Sequence, residues 1–362
     1  VTALDKLRVD SREGAFVDPS KVTVAEYLNR WLDGLPGTNA APATVFSYRK
    51  NLERHVLPRI GGQRLQSLRA AELKALYADL QKPGANLRNS DVGLSPRTVR
   101  YIHSILHRAL SEAVGEELLV VNPSARERLR SPSARMMRSD RMKYWTPDEI
   151  EVFLRRSEEE GDRDRALSRL VVMTGLRRGE ALGLRWCDVD LEAGEVAVQQ
   201  AVVVVNHEVI VGPTKNDGST RRIEIDTATV EGLRRHRTEC DDRRALADMR
   251  PIGRNDLVFA ELDGACSALH PEAYSKRFDR RVSRYGLPHI GVHGLRHSHA
   301  VTLLKLGVHP KVVQERLGHA NIAMTMDIYS AVIKGMGADA AQLMANLVAN
   351  AGTGAKAVPN EG

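Results

Sequence analysis

Long apolar runs and a cysteine framework are both missing from this sequence of 362 residues. A membrane span takes about 18 or more predominantly apolar residues, whereas the longest strongly apolar stretch, 201–205, fits a strand. The first twenty residues carry charges and no apolar core, so we expect no secretory signal. Cys187, Cys240 and Cys266 are too widely spaced for a metal knuckle and suit a reducing compartment.

Positive charge is in excess. The formal net charge is +7 and the pI is near 9.4, which indicates a polyanionic partner. Segment 126–143 has seven basic residues against two acidic ones, and Ser131-Pro132-Ser133 interrupts any helix there. We interpret it as a basic linker that lies across phosphates, with a solvated hinge as the alternative. Its DNA-contact candidates are Arg135, Arg138 and Arg141.

The length exceeds the usual size of one hydrophobic core, so two domains are expected. The first, 21–125, is predicted to be helical: one helix around 24–32, one from Pro42 that ends before Pro58, one over 70–80 and one over 95–114 capped by Ser95. One face of the last helix contains Arg97, Arg100, His103 and His107. We predict that this face contacts phosphates, although such a face is ordinarily only solvated.

The second half begins with a capping-box pattern, Thr146-Pro147-Asp148-Glu149. A further helix should end near Gly175. Alternation predicts strands over 195–205, 209–211 and 221–225. Helices are expected at about 227–247, 270–285, 293–306, 310–317 and 321–332.

Two short segments concentrate positive side chains at junctions. Gly175 ends one helix and Arg177 follows it, so a guanidinium suited to two phosphate oxygens is fixed in place, with Glu180 able to support it. Lys215 lies in a turn between two strands, from which it can reach a groove and donate a proton to a leaving alkoxide. Alone, Lys215 would more often be a solvated turn lysine.

Histidines mark the remaining segments. His293 and Arg296 share a face at a helix start, where free N–H groups favour an anion. His293 and His297 have a spacing that zinc ligands can have, but Gly294 stands where a zinc protease needs glutamate, so we predict no metal.

The final segment places His319 directly after Gly318, and Tyr329 ten residues later. A tyrosine in such a helix, taken alone, is ordinarily a half-buried core residue. Tyr329 becomes a candidate catalytic residue only when it is considered together with the other segments.

Taken in order, Arg177, Lys215, His293-x-x-Arg296, Leu-Gly-His319 and Tyr329 closely resemble the signature of the tyrosine recombinase family, which includes phage integrases and chromosome-dimer resolvases. The resemblance extends from about Thr23 to Val332. It departs from the commonest pattern in its gap of ten residues, where many members have nine, and in a looser turn after the lysine.

The resemblance implies a role for each residue. Tyr329 attacks a DNA phosphodiester to give a 3′-phosphotyrosine and a 5′-hydroxyl, so no ATP is expected. Arg177 and Arg296 bind the non-bridging oxygens, and because they substitute for divalent ions, no cofactor or metal is expected. Lys215 is the acid, His293 helps to deprotonate Tyr329, His319 hydrogen-bonds the phosphate, and Glu180 supports the site.

It also implies an architecture: a mainly α protein with a small antiparallel β-sheet in the catalytic domain, forming a two-domain C-shaped DNA clamp. The expected parts are a tail or arm-binding remnant (1–20), a helical core-binding domain (21–125), the linker (126–143), the catalytic domain (144–334) and a C-terminal helix with a disordered tail (335–362).

We expect double-stranded attachment or core sites as partners, a homo-tetramer formed by exchange of a C-terminal helix (338–347), accessory DNA-bending or directionality factors, and a place on the bacterial nucleoid in the cytoplasm. An integrase of a phage or mobile element is the first hypothesis. A cellular chromosome-dimer resolvase is the second, ahead of a type IB topoisomerase or a non-catalytic DNA-binding regulator.

Overall fold

The computed structural model describes residues 18–38, 40–87, 89–125, 143–214, 220–261, 263, 266–333, 344–346 and 348. The chain divides into two compact units, Val1–Arg141 and Met142–Gly362. As predicted, it is mainly α-helical with small antiparallel sheets. Among the described helices, none combines the length and apolar character that a membrane crossing requires.

Over its described residues, the first unit consists of helices joined by turns and loops, with one isolated bridge between Thr23 and Arg64. Its helices are α1 (Val24–Gly34), α2 (Pro42–Asn51), α3 (Leu57–Ile60), α4 (Ala70–Leu80) and α5 (Pro96–Gly115), with a π-helical turn at Leu52–Val56 and 3₁₀ turns at Leu35–Gly37 and Leu65–Ser67. The apolar residues Val24, Leu28, Trp31 and Leu32 of α1 are buried, as are Val99, Ile102 and Leu106 of α5. Ser95 caps α5 through its Oγ, which accepts from the Thr98 N–H at 3.2 Å.

Helix α2 ends at Asn51, before Pro58, as predicted, but the chain stays helical beyond it. The chain continues through the π turn into α3, where Pro58 occupies one of the first two positions. Proline is tolerated there because the first N–H groups of a helix have no intrahelical acceptor. The π turn at Leu52–Val56 connects the two α-helices.

Helices also dominate the second unit. They are α6 (Pro147–Glu159), α7 (Arg165–Thr174), α8 (Arg178–Leu182), α9 (Thr227–Leu246), α10 (Pro271–Arg284), α11 (Val292–Lys305), α12 (Pro310–Leu317) and α13 (Ile322–Ile333). Thr146 forms the predicted capping box with Glu149. Trp145, fully buried, donates its backbone N–H to Ser298 Oγ at 2.8 Å, which attaches the start of the unit to α11.

The strands form two sheets, where one was predicted. β1 (Val189–Asp190), β2 (Glu195–Val198) and β5 (Arg221–Glu224) form a three-stranded sheet in the order β1-β2-β5, and β3 (Gln200–Val205) pairs only with β4 (Glu208–Pro213). All pairs are antiparallel. The chain leaves the first ladder at Gln199, so β3 and β4 make a hairpin and β5 then returns to β2.

Two apolar clusters organise this unit. The larger one contains Trp145, Phe153, Phe278 and the buried faces of α7 and β2. The smaller one joins α11, α12 and α13 through Ala300, Leu304, Val313, Leu317 and Ile328. The predicted site segments at 293–296, 317–319 and 329 therefore lie on, or at the end of, helices that pack against each other.

Candidate active site

Arg177 lies at a tight junction between α7 and α8. Gly175 ends α7 in the left-handed region (φ 68°), which favours glycine, and a Cβ at this position would displace Leu317 Cδ2 at 2.5 Å and His299 Cδ2 at 2.8 Å. Glu180, in the first turn of α8, accepts the Arg177 backbone N–H at 3.0 Å and its Nη1 at 2.6 Å. The predicted support of Arg177 by Glu180 is present as a contact.

Arg296 lies in the first turns of α11 and is almost completely buried. Its Nη1 donates to the Gly175 carbonyl at 2.7 Å, and its Nη2 donates to the Leu317 carbonyl at 2.8 Å. Arg177 Nη2 donates to the next carbonyl, that of Gly318, at 2.8 Å. Adjacent peptide groups at the end of α12 thus hold the two arginines side by side.

The anchoring leaves part of each guanidinium unused by these contacts. A guanidinium has five N–H donors, and the named bonds use two of those of Arg296 and two of Arg177. Burial, and then the charge of Arg177, lower the pKa of Arg296 to about 9. Crowded positive charge of this kind is relieved when an anion binds, which makes the pair suited to a phosphate.

Three histidines surround this pair. His293 and His297 meet edge to face, with ring centroids 4.6 Å apart. Burial, then His297 and Arg296, lower the pKa of His293 to about 4, so it is neutral at pH 7 and able to accept a proton. Burial and then Arg296 and Arg177 also lower the pKa of His319 to about 4.

His319 is oriented by its own neighbourhood. Its Nδ1 lies 2.8 Å from Thr325 Oγ1. When the Thr325 hydroxyl donates, Nε2 carries the proton and can donate to a phosphate oxygen. Gly318, which precedes His319, ends α12 in the left-handed region (φ 64°) and turns the chain toward α13.

Tyr329 is half-buried on α13, where it packs beside Leu303 and Val308 against the apolar cluster of the last three helices. α13 in turn packs on α11 and α12, which contain the other predicted site residues. The structure thus brings Arg177, Glu180, Arg296, His293 and His319 together, with Tyr329 on the adjoining helix. Their catalytic roles stay predictions.

Sequence reasoning missed Arg221. Its Nη2 donates to Glu180 Oε2 at 2.9 Å, and its side chain is 8% exposed. A signal was available in the strand pattern: alternation places Arg221 on the same face as buried Ile223 and opposite to exposed Arg222.

Several predicted residues lie outside the described part of the chain. These are Lys215, the linker residues Arg135, Arg138 and Arg141, and nearly all of the C-terminal helix at 338–347. On α5 of the first unit, Arg97, Arg100 and His107 are exposed. His103 is half-buried, with its Nδ1 3.1 Å from the Tyr77 hydroxyl, and His107 Nδ1 is 3.1 Å from Ser124 Oγ.

Metal ligands do not gather among the residues that the structure describes: no group of three or more His, Cys, Asp or Glu side chains is placed to hold an ion. His293 and His297 therefore have no third ligand of these types within that part of the chain.

Comparison with known proteins gives a consistent result. The model of the phage integrase family matches residues 143–335. A XerC-like tyrosine recombinase of Caldanaerobacter subterraneus subsp. tengcongensis is 27% identical over 349 residues, which cover 89% of this chain and 82% of that protein. A putative prophage phiRv2 integrase of Mycobacterium tuberculosis is 27% identical over 326 residues, 90% of this chain and 78% of that one.

Solved structures share the fold. The Tn1549 transposon integrase in complex with transposon right end DNA superposes with a TM-score of 0.69 at 20% identity, covering 85% of this chain and 94% of that one. A lambda integrase tetramer bound to a Holliday junction has a TM-score of 0.61 at 20% identity, covering 88% and 80%. The matched family model and the curated relatives define the class as DNA recombination enzymes. This chain belongs to the phage integrase family and is a site-specific tyrosine recombinase.

Proposed function

We propose that this protein integrates and excises a phage or mobile element by cutting and rejoining DNA through a 3′-phosphotyrosine at Tyr329. The observation that carries the proposal is the anchoring of Arg177 and Arg296 on the adjacent carbonyls of Gly318 and Leu317. Two guanidiniums fixed side by side, with donors to spare, stabilise the charge of a pentavalent phosphorus better than mobile surface arginines do.

The chemistry follows from the states of the surrounding groups. Neutral His293 accepts the phenolic proton as Tyr329 attacks, because a phenol with a free pKa of about 10 is a poor nucleophile at pH 7. The new Tyr–O–P bond forms as the bond to the 5′ oxygen breaks, and Lys215 donates the proton that this oxygen needs. Neutral His319 donates a hydrogen bond to a phosphate oxygen. Rejoining is the reverse reaction, so the bond energy is kept without ATP.

Solved structures of similar fold support a proposal about the partners. The solved integrases of this fold are bound to core-site DNA, transposon-end DNA or a Holliday junction. We propose that this chain grips double-stranded attachment sites with both units and recombines them as a homo-tetramer. Exchange of the C-terminal helix, accessory bending or directionality factors and a place on the bacterial nucleoid complete the proposal.

The test is covalent trapping on nicked suicide substrates tiled across the DNA that flanks the gene. We expect wild-type protein to form an adduct that survives denaturing electrophoresis, and Tyr329→Phe to form none while still binding the duplex. Tyr144→Phe is the matched control, because Tyr144 is an exposed tyrosine of the same unit that contacts Lys305. Adduct formation by Tyr329→Phe would refute the assignment of Tyr329 as the nucleophile. Exchange between two defined sites then separates a recombinase from a type IB topoisomerase.

A further inference from the structure

The end of helix α12 presents three successive backbone carbonyls, and each accepts from a different arginine. Arg221 Nε donates to the carbonyl of Arg316 at 2.8 Å. Leu317 and Gly318 accept from Arg296 and Arg177, both at 2.8 Å. The last carbonyls of a helix have no intrahelical partner and form the negative end of its dipole. This terminus, 316–318, is therefore a backbone site for three guanidiniums.

A single carboxylate joins two of the three arginines. Glu180 Oε1 accepts from Arg177 and Oε2 accepts from Arg221, and the Glu180 side chain is 4% exposed. A buried carboxylate with both oxygens in charge-assisted bonds fixes the orientation of its partners. Without Arg221, Glu180 Oε2 would keep only the bond from the Arg177 backbone N–H at 3.0 Å, so the carboxylate would hold the Arg177 guanidinium less firmly.

Arg221 itself lies behind the site. At 8% exposure it is less accessible than Arg177, which is 37% exposed. It stands at the first position of β5, six residues after Lys215 in the sequence. It therefore links the strand that follows the predicted general acid to the terminus of α12 and to Glu180.

We propose that Arg221 is a positioning residue for strand cleavage: through Glu180 and the Arg316 carbonyl it fixes Arg177 and the α12 terminus in the geometry that binds the scissile phosphate. This inference rests on the proposed function. It assigns Arg221 no contact with DNA.

The experiment measures single-turnover adduct formation on the suicide substrate by Arg221→Met, Arg221→Lys and Arg222→Met. We expect Arg221→Met to slow cleavage roughly 10- to 100-fold, by analogy with loss of the hydrogen-bond partner behind a metal ligand, with DNA affinity unchanged. Arg221→Lys keeps the charge but cannot span both acceptors, so it should recover part of the rate. Arg222→Met is the matched control, since Arg222 is the next residue of the strand and 74% exposed.

Failure of the positioning role and failure of the proposed function give different results. Absence of any adduct with wild-type protein would overturn the proposed function. Equal cleavage rates in wild type and Arg221→Met would overturn the role of Arg221 alone.

Gly318→Ala provides a second route that leaves every charge in place. A Cβ at Gly318 would lie 2.8 Å from Arg221 Nη1, whereas a Cβ at Gly307 would meet nothing within 4 Å. Both glycines have positive φ, 64° and 80°, so alanine costs each a similar backbone strain. We expect Gly318→Ala to slow cleavage well beyond Gly307→Ala at matched thermal stability. Equal rates in the two variants would contradict the proposal.

Discussion

The two units of this chain differ in how many charged side chains they bury. Among the described residues, the first unit buries only His55 and Ser124 as polar side chains. The second buries six side chains that carry charge, namely Asp164, Glu180, Asp188, Arg244, Arg281 and Arg296. Buried charge is costly unless it is paired and hydrogen-bonded. The described charged side chains of the first unit thus face solvent, while the second unit buries paired charges, of which Glu180 and Arg296 belong to the candidate site.

Removing a buried charge of the second unit should have the largest effect. We expect Arg296→Met to lower the single-turnover cleavage rate by about 10²- to 10³-fold, because one of two preorganised donors to the transition state is lost. Quench-flow or manual quenching on the suicide substrate measures it.

The matched arginine lies in the first unit. Arg49 bonds Asp33 at 2.6 Å on the surface, with 36% exposure. Arg49→Met should cleave at nearly the wild-type rate when DNA is saturating, because exposed ion pairs contribute about 0–1 kcal/mol. Equal damage from the two substitutions would break the contrast between the units.

Acid should weaken the second unit more than the first. Burial lowers the pKa of His293, His299 and His319 to about 4, whereas unfolded histidines titrate near 6.5. Between about pH 6.5 and pH 4 the unfolded chain therefore binds more protons than the folded one. The free energy of unfolding keeps its highest value, as far as these histidines determine it, above about pH 6.5 and falls as the pH drops toward 4.

Hydrogen–deuterium exchange at pH 7 and pH 5, corrected for intrinsic rates, reports both units in one sample. Peptides of α7 and α11 should lose more protection than those of α1 and α5. In the first unit burial also lowers the pKa of His55 and His103, but less than that of the three histidines of the second unit. A smaller loss of protection is therefore expected there. Equal loss in the two units would contradict the expectation.

Surface charge on α5 should have the smallest effect, one seen only in binding. We expect Arg97→Ala and Arg100→Ala each to reduce the slope of log Kd against log salt by roughly 0.9 for duplex DNA, because each removes about one phosphate contact. Fluorescence anisotropy across a salt series measures it. Lys82→Ala is the control, since Lys82 is exposed and paired with Asp79 at 2.6 Å. Unchanged slopes in both arginine variants would exclude this face from the interface.

Local patterns were sufficient for most of the fold. The Thr146 capping box, the Ser95 cap and the apolar periods of α1 and α4 depend on residues three or four apart, so the sequence alone predicts them. The short helix α3, which follows the π turn and has Pro58 near its start, was not predicted from the sequence. The division of the strands into two sheets depends on long-range pairing, which single-strand alternation does not specify.

The candidate site divides in the same way. Family resemblance identified Arg177, Glu180, His293, Arg296 and His319, which the structure brings together. It gave no access to what holds them: the bond from Arg177 to the Gly318 carbonyl spans 141 residues, and that from Arg221 to the Arg316 carbonyl spans 95. Backbone acceptors leave no signature in side-chain identity, so only the folded chain reveals them.

The dependence on main-chain oxygens at 316–318 has a consequence for tolerance to change. Replacing side chains along α12 leaves its terminal carbonyls pointing in the same directions. Point substitutions there are therefore compatible with intact bonds from the three arginines to the carbonyls of 316–318. Adding or deleting one residue within α12 is different, because each residue turns an α-helix by about 100°. Insertion or deletion of one residue in this eight-residue helix should redirect all three carbonyl acceptors at once. Conservative substitutions at most of its side chains should leave the cleavage rate nearly unchanged.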